Sequence, residues 1–411
     1  MAIYYIDNVN GDDSRDGLSE KTARKNYTDI ALNDGDSVLF KRGSFYRDTL
    51  KTTKYVRYGA YGEGDKPTFC GSVDVSRECD WVEVEPNIWK CTYPIATDVG
   101  NFVFNDNDCT ATFRWSKAEL CGQGDFYDGK ETVEIYRHDG NEMQELYMYS
   151  VGNPAHVYSH IEAIPYGARN MGNLGDGLTF EGLRFINSGV HGLSGSGDNI
   201  IVRDCDFENI GGCYWSRKLK IRFGNAFEFW ARGNYILIEK CTFKNIYDSC
   251  VTHQGPGDKT HPTVGFVCKN CIFDTYGMAA FEYRDKLPID SAFTDNVCLN
   301  AGCGFAMLGE QLPRLSEIWP QPMGHHIFMW RIDNPSEKGN LLIANNLFGN
   351  APVGAAVYSI ISPDAENQVT LANNTYTPNE ILLVRWGGEN YADLTEFKTK
   401  TGQDQNGKYK E

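Results

Sequence analysis

The feature that most constrains this chain is a strand-length segment recurring through its second half, each copy built around one aromatic or aliphatic anchor. The copies are "LTFEGLRFIN" (anchor Phe185), "IIVRDCDFEN" (Phe207), "ILIEKCTFKN" (Phe243) and "GFVCKNCIFD" (Phe273), then "SAFTDNVCLN" (Leu299), "LLIANNLFGN" (Phe348) and "VTLANNTYTP" (Tyr376). The shortest interval, Phe185 to Phe207, is 22 residues, a solenoid period. Every copy is strand-like and no helical stretch separates them, which disfavours helical solenoids. A coil this thin buries nothing alone, so stacking must make the core. The expected fold class is all-β, a single-stranded parallel β-helix with loop insertions.

The alignment sorts other residues into columns. Asn270, Asn296, Asn345 and Asn373 share a position before the anchor, and Asn187, Asn209, Asn245 and Asn350 one after it. Asparagine tolerates left-handed backbone, and stacked copies can bond from coil to coil. Cys205, Cys241 and Cys271 form a further column, read as small buried thiols.

Eight residues past the anchor comes an apolar site, expected to face inward: Leu193, Val251, Phe281, Met307, Ala356 and Val384, with Phe227 as occupant in the coil that carries an insertion. Side chains alternate along a strand. The next position therefore faces outward and reads Ser194, Glu228, Thr252, Glu282, Leu308; two further along stand Ser196, Trp230, Gln254, Arg284, Glu310.

The β-helix is expected over residues 1–385, with irregular coils or a small insertion at about 67–177. Cleft loops are expected at about 211–225 and 309–338, and 386–411 as a C-terminal cap with a short helix and frayed last residues. In solenoids, insertions emerge as loops on the binding face. The two loops bring Trp215, Trp319 and Trp330 as candidate walls for sugar rings, and Arg217, Arg222 and His326 as candidate contacts to hydroxyls or carboxylates; Arg114 and Trp115 are placed beside the same groove. The plainer alternative is that these loops cover the sheet or build an oligomer interface.

Composition narrows the function. The 411-residue chain carries a formal net charge of -16 and 42 Gly against 15 Pro. An acidic, turn-rich β protein is a poor candidate for holding nucleic acid phosphates or an anionic membrane surface. Its thirteen cysteines are odd in number, and neither a disulfide framework nor a zinc site is expected. The opening "MAIYYIDNVNGDD" shows no basic and apolar leader, and the expectation is a cytoplasmic protein. No cofactor and no metal are expected; the carboxylates of "GDDSRDG" are read as turn formers.

"YYIDNVNGDDSRDGLSEKTA" with "GDSVLFKRGSFYRDTL", "LYMYSVGNPAHVYSHIEA" and "RFGNAFEFW…IYDSCVTHQG" resemble segments of bacterial right-handed parallel β-helix proteins of the pectate-lyase-like superfamily, particularly its glycoside-hydrolase branches. The resemblance runs from Ile3 to about Tyr376 and implies a right-handed helix and a carbohydrate substrate. That group spans polysaccharide lyases, pectin-type hydrolases, lacto-N-biosidase-like enzymes, fructotransferases, epimerases and adhesins, so fold analogy does not choose among them. The paired aspartates of polygalacturonases, the Asp-Pro-His-Glu of alginate epimerases and a calcium-lyase aspartate cluster are not found here.

Glycoside hydrolysis needs two carboxyl groups. The candidates are Glu228, Glu282 and Asp248. Strands about 4.8 Å apart put Glu228 and Glu282, two coils apart, at about 9.5 Å, inside the range of about 6.5–9.5 Å for inverting pairs. Asp248, at the turn entering the intervening strand, is the rival partner. Arg222, Trp230, Gln254, Arg284, Trp215 and His326 are the candidate substrate-binding residues; His253 falls on the inward parity. Each has a plain reading: Glu228 as a solvated strand residue, Glu282 as half of a surface ion pair, Asp248 as an Asx turn. The leading expectation is a glycoside hydrolase or transglycosylating enzyme acting on oligosaccharides. The alternatives are a lyase acting on uronates and a non-catalytic carbohydrate-binding β-helix. Either a monomer or a homo-oligomer, such as a trimer, is compatible.

Overall fold

The computed structural model describes residues 1–95, 97–106, 109–129, 145–167, 169–217, 220–230, 232–254, 263–285, 287–308, 323–332, 339–379 and 381–411. Three long sheets run the length of the molecule, of ten, ten and nine strands among the described residues. One coil shows the plan: Ile236–Glu239 lies in the first sheet, Thr242–Ile246 in the second and Ser249–Gln254 in the third. Each strand pairs in parallel with its counterparts in the coils above and below.

Side-chain stacking explains the register. Phe69, Phe185, Phe207, Phe243 and Phe273 occupy one column of the second sheet. Their ring centroids lie 4.8–5.8 Å apart with interplanar angles of 3–22°. A one-residue slip would turn every ring to the other face. The next member is Cys298, not Leu299: Cys298 pairs with Phe273 and Phe348, while Leu299 sits opposite Asp274.

The asparagines explain that shift. Three residues before the anchors, the backbone is left-handed at Asp204, Lys240, Asn270, Asp295, Asn345 and Asn373 (φ 51–59°). Asn296 therefore belongs to the following slot, where Asn296, Asn346, Asn374 and Asp404 form a buried ladder, each side-chain oxygen accepting a backbone N–H from the coil before. A second ladder links Asn245 to Asn209 and Asn209 to Asn187, again at left-handed residues. Turn preference and coil-to-coil bonding are met by one side chain.

In the third sheet the inward column is Leu193, Phe227, Val251, Phe281, Ile327, Val357 and Val384. Met307 and Ala356 do not belong to it. Met307 lies in a short 3-10 helix, Phe305–Met307, and residues 323–332 return to supply the strand His325–Trp330. Part of the expected 309–338 loop is thus sheet, with Phe328 where Leu308 was expected. Trp319 and Glu310 fall outside the described residues.

Between Thr68–Cys70 of the second sheet and Asn170–Leu174 of the third, the chain leaves the helix and builds a module of its own. Val73–Asp74, Val99–Phe104, Cys109–Thr110 and Ile161–Pro165 form one antiparallel sheet; five further strands between Trp81 and Tyr149 form another. Trp81, Phe102, Phe104, Phe113, Phe126 and Met148 are its core. Arg47 ties the module to the helix through a bidentate pair with Glu162, at 2.6 and 2.9 Å.

At the far end, Leu394–Thr401 is a helix capped by Asp393 and ended by left-handed Gly402. The last residues are not frayed: Lys408–Tyr409 adds a strand beside Thr375–Tyr376. At the near end, Asp12 and Asp16 accept the backbone N–H groups of Ser14 and Leu18, as turn formers do, whereas Asp13 accepts those of Lys25 and Asn26 and ties two separate segments together. No described helix is long and apolar enough to cross a membrane.

Candidate active site

The outward column of the third sheet reads Ser194, Glu228, Thr252, Glu282 by register. Outward does not mean solvated here. Glu228 is 1% exposed because a hairpin, Cys213–Ser216 with Ile221–Phe223, folds over the sheet. The hairpin leaves and rejoins the coil at Gly211 and Gly224, whose backbones cross so closely that a Cβ on Gly224 would lie 2.2 Å from the Gly211 Cα.

Beneath it lies a cavity of about 250 Å³, whose walls include Glu228, Asp248, His191 and Asn225 with Trp215 and Trp230. Arg169, Arg284, Arg331 and Gln254 complete its polar lining.

Glu228 is held from several sides. Its Oε1 accepts from Ser194 Oγ at 3.1 Å and from the Trp230 indole N–H; its Oε2 accepts from Asn225 Nδ2 at 2.6 Å. Burial pushes the carboxyl up, but the His191 ring and these three donors outweigh it and hold Glu228 below the usual glutamate value. It is therefore an anion in the resting site. A carboxylate has about four lone-pair positions; three are taken, and one is left to face His191 or a ligand.

His191 Nε2 stands 3.4 Å from Glu228 Oε1. Its Nδ1 accepts the Asn225 backbone N–H at 3.1 Å, which places the proton of the neutral ring on Nε2. Burial, aided by the charge of Arg169, keeps the ring below its ordinary pKa. Asp248 precedes the strand Ser249–Gln254. Its main chain is pinned, N–H to Gly224 O and C=O from Met278 N–H, and it is fully buried against the cavity. Arg284 donates to Gln254 Oε1, and its guanidinium lies 5.1 Å from the centre of the Trp330 ring.

The structure therefore brings together Glu228, Asp248, Trp215, Trp230, Gln254 and Arg284. Three candidates lie elsewhere. Glu282 is two coils from Glu228 as expected, but outside the cavity wall: it accepts from Ser249 Oγ at 2.8 Å, Thr252 Oγ1 at 3.2 Å and the Trp330 indole N–H at 2.8 Å. It is a strut under Trp330. Arg222 is buried; its guanidinium donates to the carbonyls of Gly100 and Gly212 and lies over Phe113 and Tyr247, so it fastens the hairpin rather than facing a ligand. His326 is a strand residue, not a loop residue. It bonds to Tyr276 Oη and Gly349 O, and burial pushes its pKa down to about 4. His253 is buried as its parity implies, bonded to Arg284 O and stacked on Tyr283. Arg114 pairs with Asp125, and Trp115 packs on Tyr214; neither lines the cavity.

His191, Asn225, Arg169 and Arg331 were missed. A signal for two of them existed: His191 and Asn225 each stand two residues before an inward-facing residue, Leu193 and Phe227, so the same end of successive strands carries them.

No family model matches the sequence, and a search of curated proteins returns no match. Solved structures do match. The GH136 lacto-N-biosidase from Eubacterium ramulus, as its selenomethionine derivative, aligns with a TM-score of 0.55 at 13% identity over 94% of this chain and 62% of its own. Its native structure aligns with a TM-score of 0.50 at 13% identity over 100% and 67%. A pectate lyase aligns at 0.48 and 14% identity over 95% and 74%. The chain thus spans about 62% of the length of the first of these. The likeness is one of fold alone: the chain is a right-handed parallel β-helix.

Proposed function

We propose that the protein is a glycoside hydrolase, or a related transglycosylating enzyme, that cleaves an oligosaccharide with Glu228 and Asp248 as its carboxyl pair. The observation that carries this reading is that both line one small cavity flanked by the indoles of Trp215 and Trp230. Sugars present apolar ring faces to such aromatics and hydroxyls to polar groups. Glu228, held as an anion, takes the role of nucleophile or base; Asp248 takes that of the acid protonating the leaving oxygen. His191 and Asn225 orient Glu228 and keep it ionised. A volume of about 250 Å³ lies below the range of about 300–1,000 Å³ typical of drug-sized ligands, and it suits a short terminal unit better than the middle of a polymer. The fold shared with a lacto-N-biosidase supports the hydrolase reading.

The division of roles is testable with aryl glycosides. Asp248→Asn should lose turnover on poor leaving groups and keep much of it on nitrophenyl leaving groups, which need no acid. Glu228→Gln should lose both. Equal losses on both substrates in Asp248→Asn would remove Asp248 from the acid's role.

One observation favours a second reading. Arg169, Arg284 and Arg331 line the same cavity in a chain of formal charge -16. A lyase needs such cations to neutralise the uronate carboxylate whose neighbouring proton is removed. The anionic Glu228 in the same wall opposes a second carboxylate there, which leaves hydrolysis the better reading. Products decide: a lyase leaves an unsaturated sugar absorbing in the ultraviolet.

A further inference from the structure

Behind the hairpin lies a second pair of carboxyl groups that the chemistry above does not use. Asp98 and Asp128 belong to the inserted module and are fully buried. Tyr214, on the hairpin, donates its backbone N–H to Asp98 Oδ2 at 2.8 Å and its hydroxyl to Asp128 Oδ1. The Val99 N–H reaches Asp128 Oδ2 at 2.8 Å. Arg217 donates to the Asp128 carbonyl at 2.9 Å, and its guanidinium lies 4.9 Å from the centre of the Tyr214 ring and 5.2 Å from that of Tyr127. The contact is intimate: a Cβ on Gly100 would lie 2.8 Å from the Cys213 nitrogen.

Among the described residues, the hairpin presents Cys213, Tyr214, Arg222 and Arg217 to the pair, the Arg217 guanidinium 3.8 Å from Asp128 Oδ1, and the module adds Tyr127, whose ring lies against Arg217. Both carboxyls are raised above the ordinary aspartate value. Burial is the main cause for each, and for Asp128 the charge of Asp98 comes next. Two carboxylates confined in one dry site resist ionising together.

We infer that Asp98 and Asp128 are positioning residues for the cavity: while one of the two is protonated they dock the Cys213–Phe223 hairpin, setting Trp215 and Phe223 in the wall, and when both are ionised the hairpin is released. The sign follows from the direction of the shifts. Groups raised on docking favour the docked state below their undocked value, and that advantage is lost as pH rises through the docked value. Trp215 and Phe223 move with the hairpin because Tyr214, between Cys213 and Trp215, is the residue the pair grips. The docking itself is independent of the proposed reaction; only its effect on turnover rests on that reading.

The test is hydrogen exchange followed by mass spectrometry over a pH series, corrected for intrinsic exchange. The peptide Gly211–Gly224 is compared with the core strand Thr242–Ile246 of the same molecule. In the wild type, protection of the hairpin relative to the core strand should fall by about tenfold per pH unit once the pair ionises, the slope for loss of one proton. In Asp98→Asn, which keeps an oxygen for the Tyr214 N–H, it should stay flat. Flat protection in the wild type, or a variant that follows the wild-type fall, overturns the inference. If Asp98→Asn does not fold, Asp128→Asn replaces it, and the wild-type series is decisive by itself. In turnover assays the same pH rise should raise KM more than it lowers kcat, with KM held constant in the variant. An exchange result as expected without any turnover would count against the hydrolase reading and leave the docking intact.

Discussion

Asn225 donates its side-chain N–H to Glu228 Oε2 at 2.6 Å while its own Oδ1 accepts the backbone N–H of Ser249 at 3.0 Å. One amide thus connects the anionic carboxylate to the start of the next strand, directly beside Asp248. The two carboxyl groups of the cavity are held in relation to each other by a residue that carries no charge and can do no acid–base chemistry.

Removing that amide should be felt at Glu228. Asn225→Ala takes away one of the three donors that keep the carboxylate ionised, so the Glu228 pKa should rise from its lowered position. The acidic limb of the pH–activity profile should move to higher pH, with kcat reduced more than KM is raised. A profile that drops in height without moving would show that Asn225 serves only the fold.

Stability should report the same carboxylate. Glu228 is depressed in the folded protein, so ionising it contributes stability above its unfolded value, and that contribution is lost as pH falls through the folded one. Chemical denaturation of Glu228→Gln should show a weaker acid dependence than the wild type. Identical dependence in both proteins would mean that the network around Glu228 does not survive in solution.

Arg222→Lys tests the hairpin's second fastening. The buried guanidinium spans the Gly100 and Gly212 carbonyls, and a single ammonium cannot keep that fork geometry. Losing a charged hydrogen bond in a buried site costs about 1.5–3 kcal/mol. The melting temperature should fall, and substrate affinity should fall with it, because Trp215 and Phe223 are carried by the same hairpin. An unchanged KM would show that the wall does not need this anchor.

The aromatic column should behave as core. Phe243 stacks between Phe207 and Phe273 at 4.9 and 4.8 Å, and Phe243→Ala should cost about 3–5 kcal/mol, as large-to-small aromatic substitutions do. Urea unfolding measures it directly; a loss below about 1 kcal/mol would mean that the stack relaxes around the gap.

How far the sequence could be read follows from what each level of structure depends on. The stacked coils were legible because most repeat the same demands on the same columns: an aromatic inward, and left-handed backbone at a polar corner residue. The error at Leu299 came from treating Asn296 as a corner residue when Asp295 holds that conformation; two adjacent polar residues offered two registers, and only the ladder to Asn346 distinguishes them. Parity along the third sheet gave Glu228, Trp230, Gln254 and Arg284 as neighbours. It could not show that the hairpin buries Glu228, nor that Arg222 and His326 point into packing rather than toward a ligand. Those outcomes depend on long-range contacts, such as Arg222 with Gly100, that no local pattern encodes. His191 was missed because a histidine between glycines and apolar residues looks like core until Glu228 is placed beside it.

The central claim is that Glu228 and Asp248 hydrolyse a glycosidic bond in the cavity beneath the hairpin. Its most direct test is product analysis, by mass spectrometry and NMR in heavy-oxygen water, on a panel of neutral and uronate-containing oligosaccharides treated with the wild type and with Glu228→Gln. The account predicts saturated products that carry solvent oxygen or are transferred to a second sugar, formed by the wild type and lost in a folded Glu228→Gln. Unsaturated products, or turnover undiminished in the variant, would contradict it.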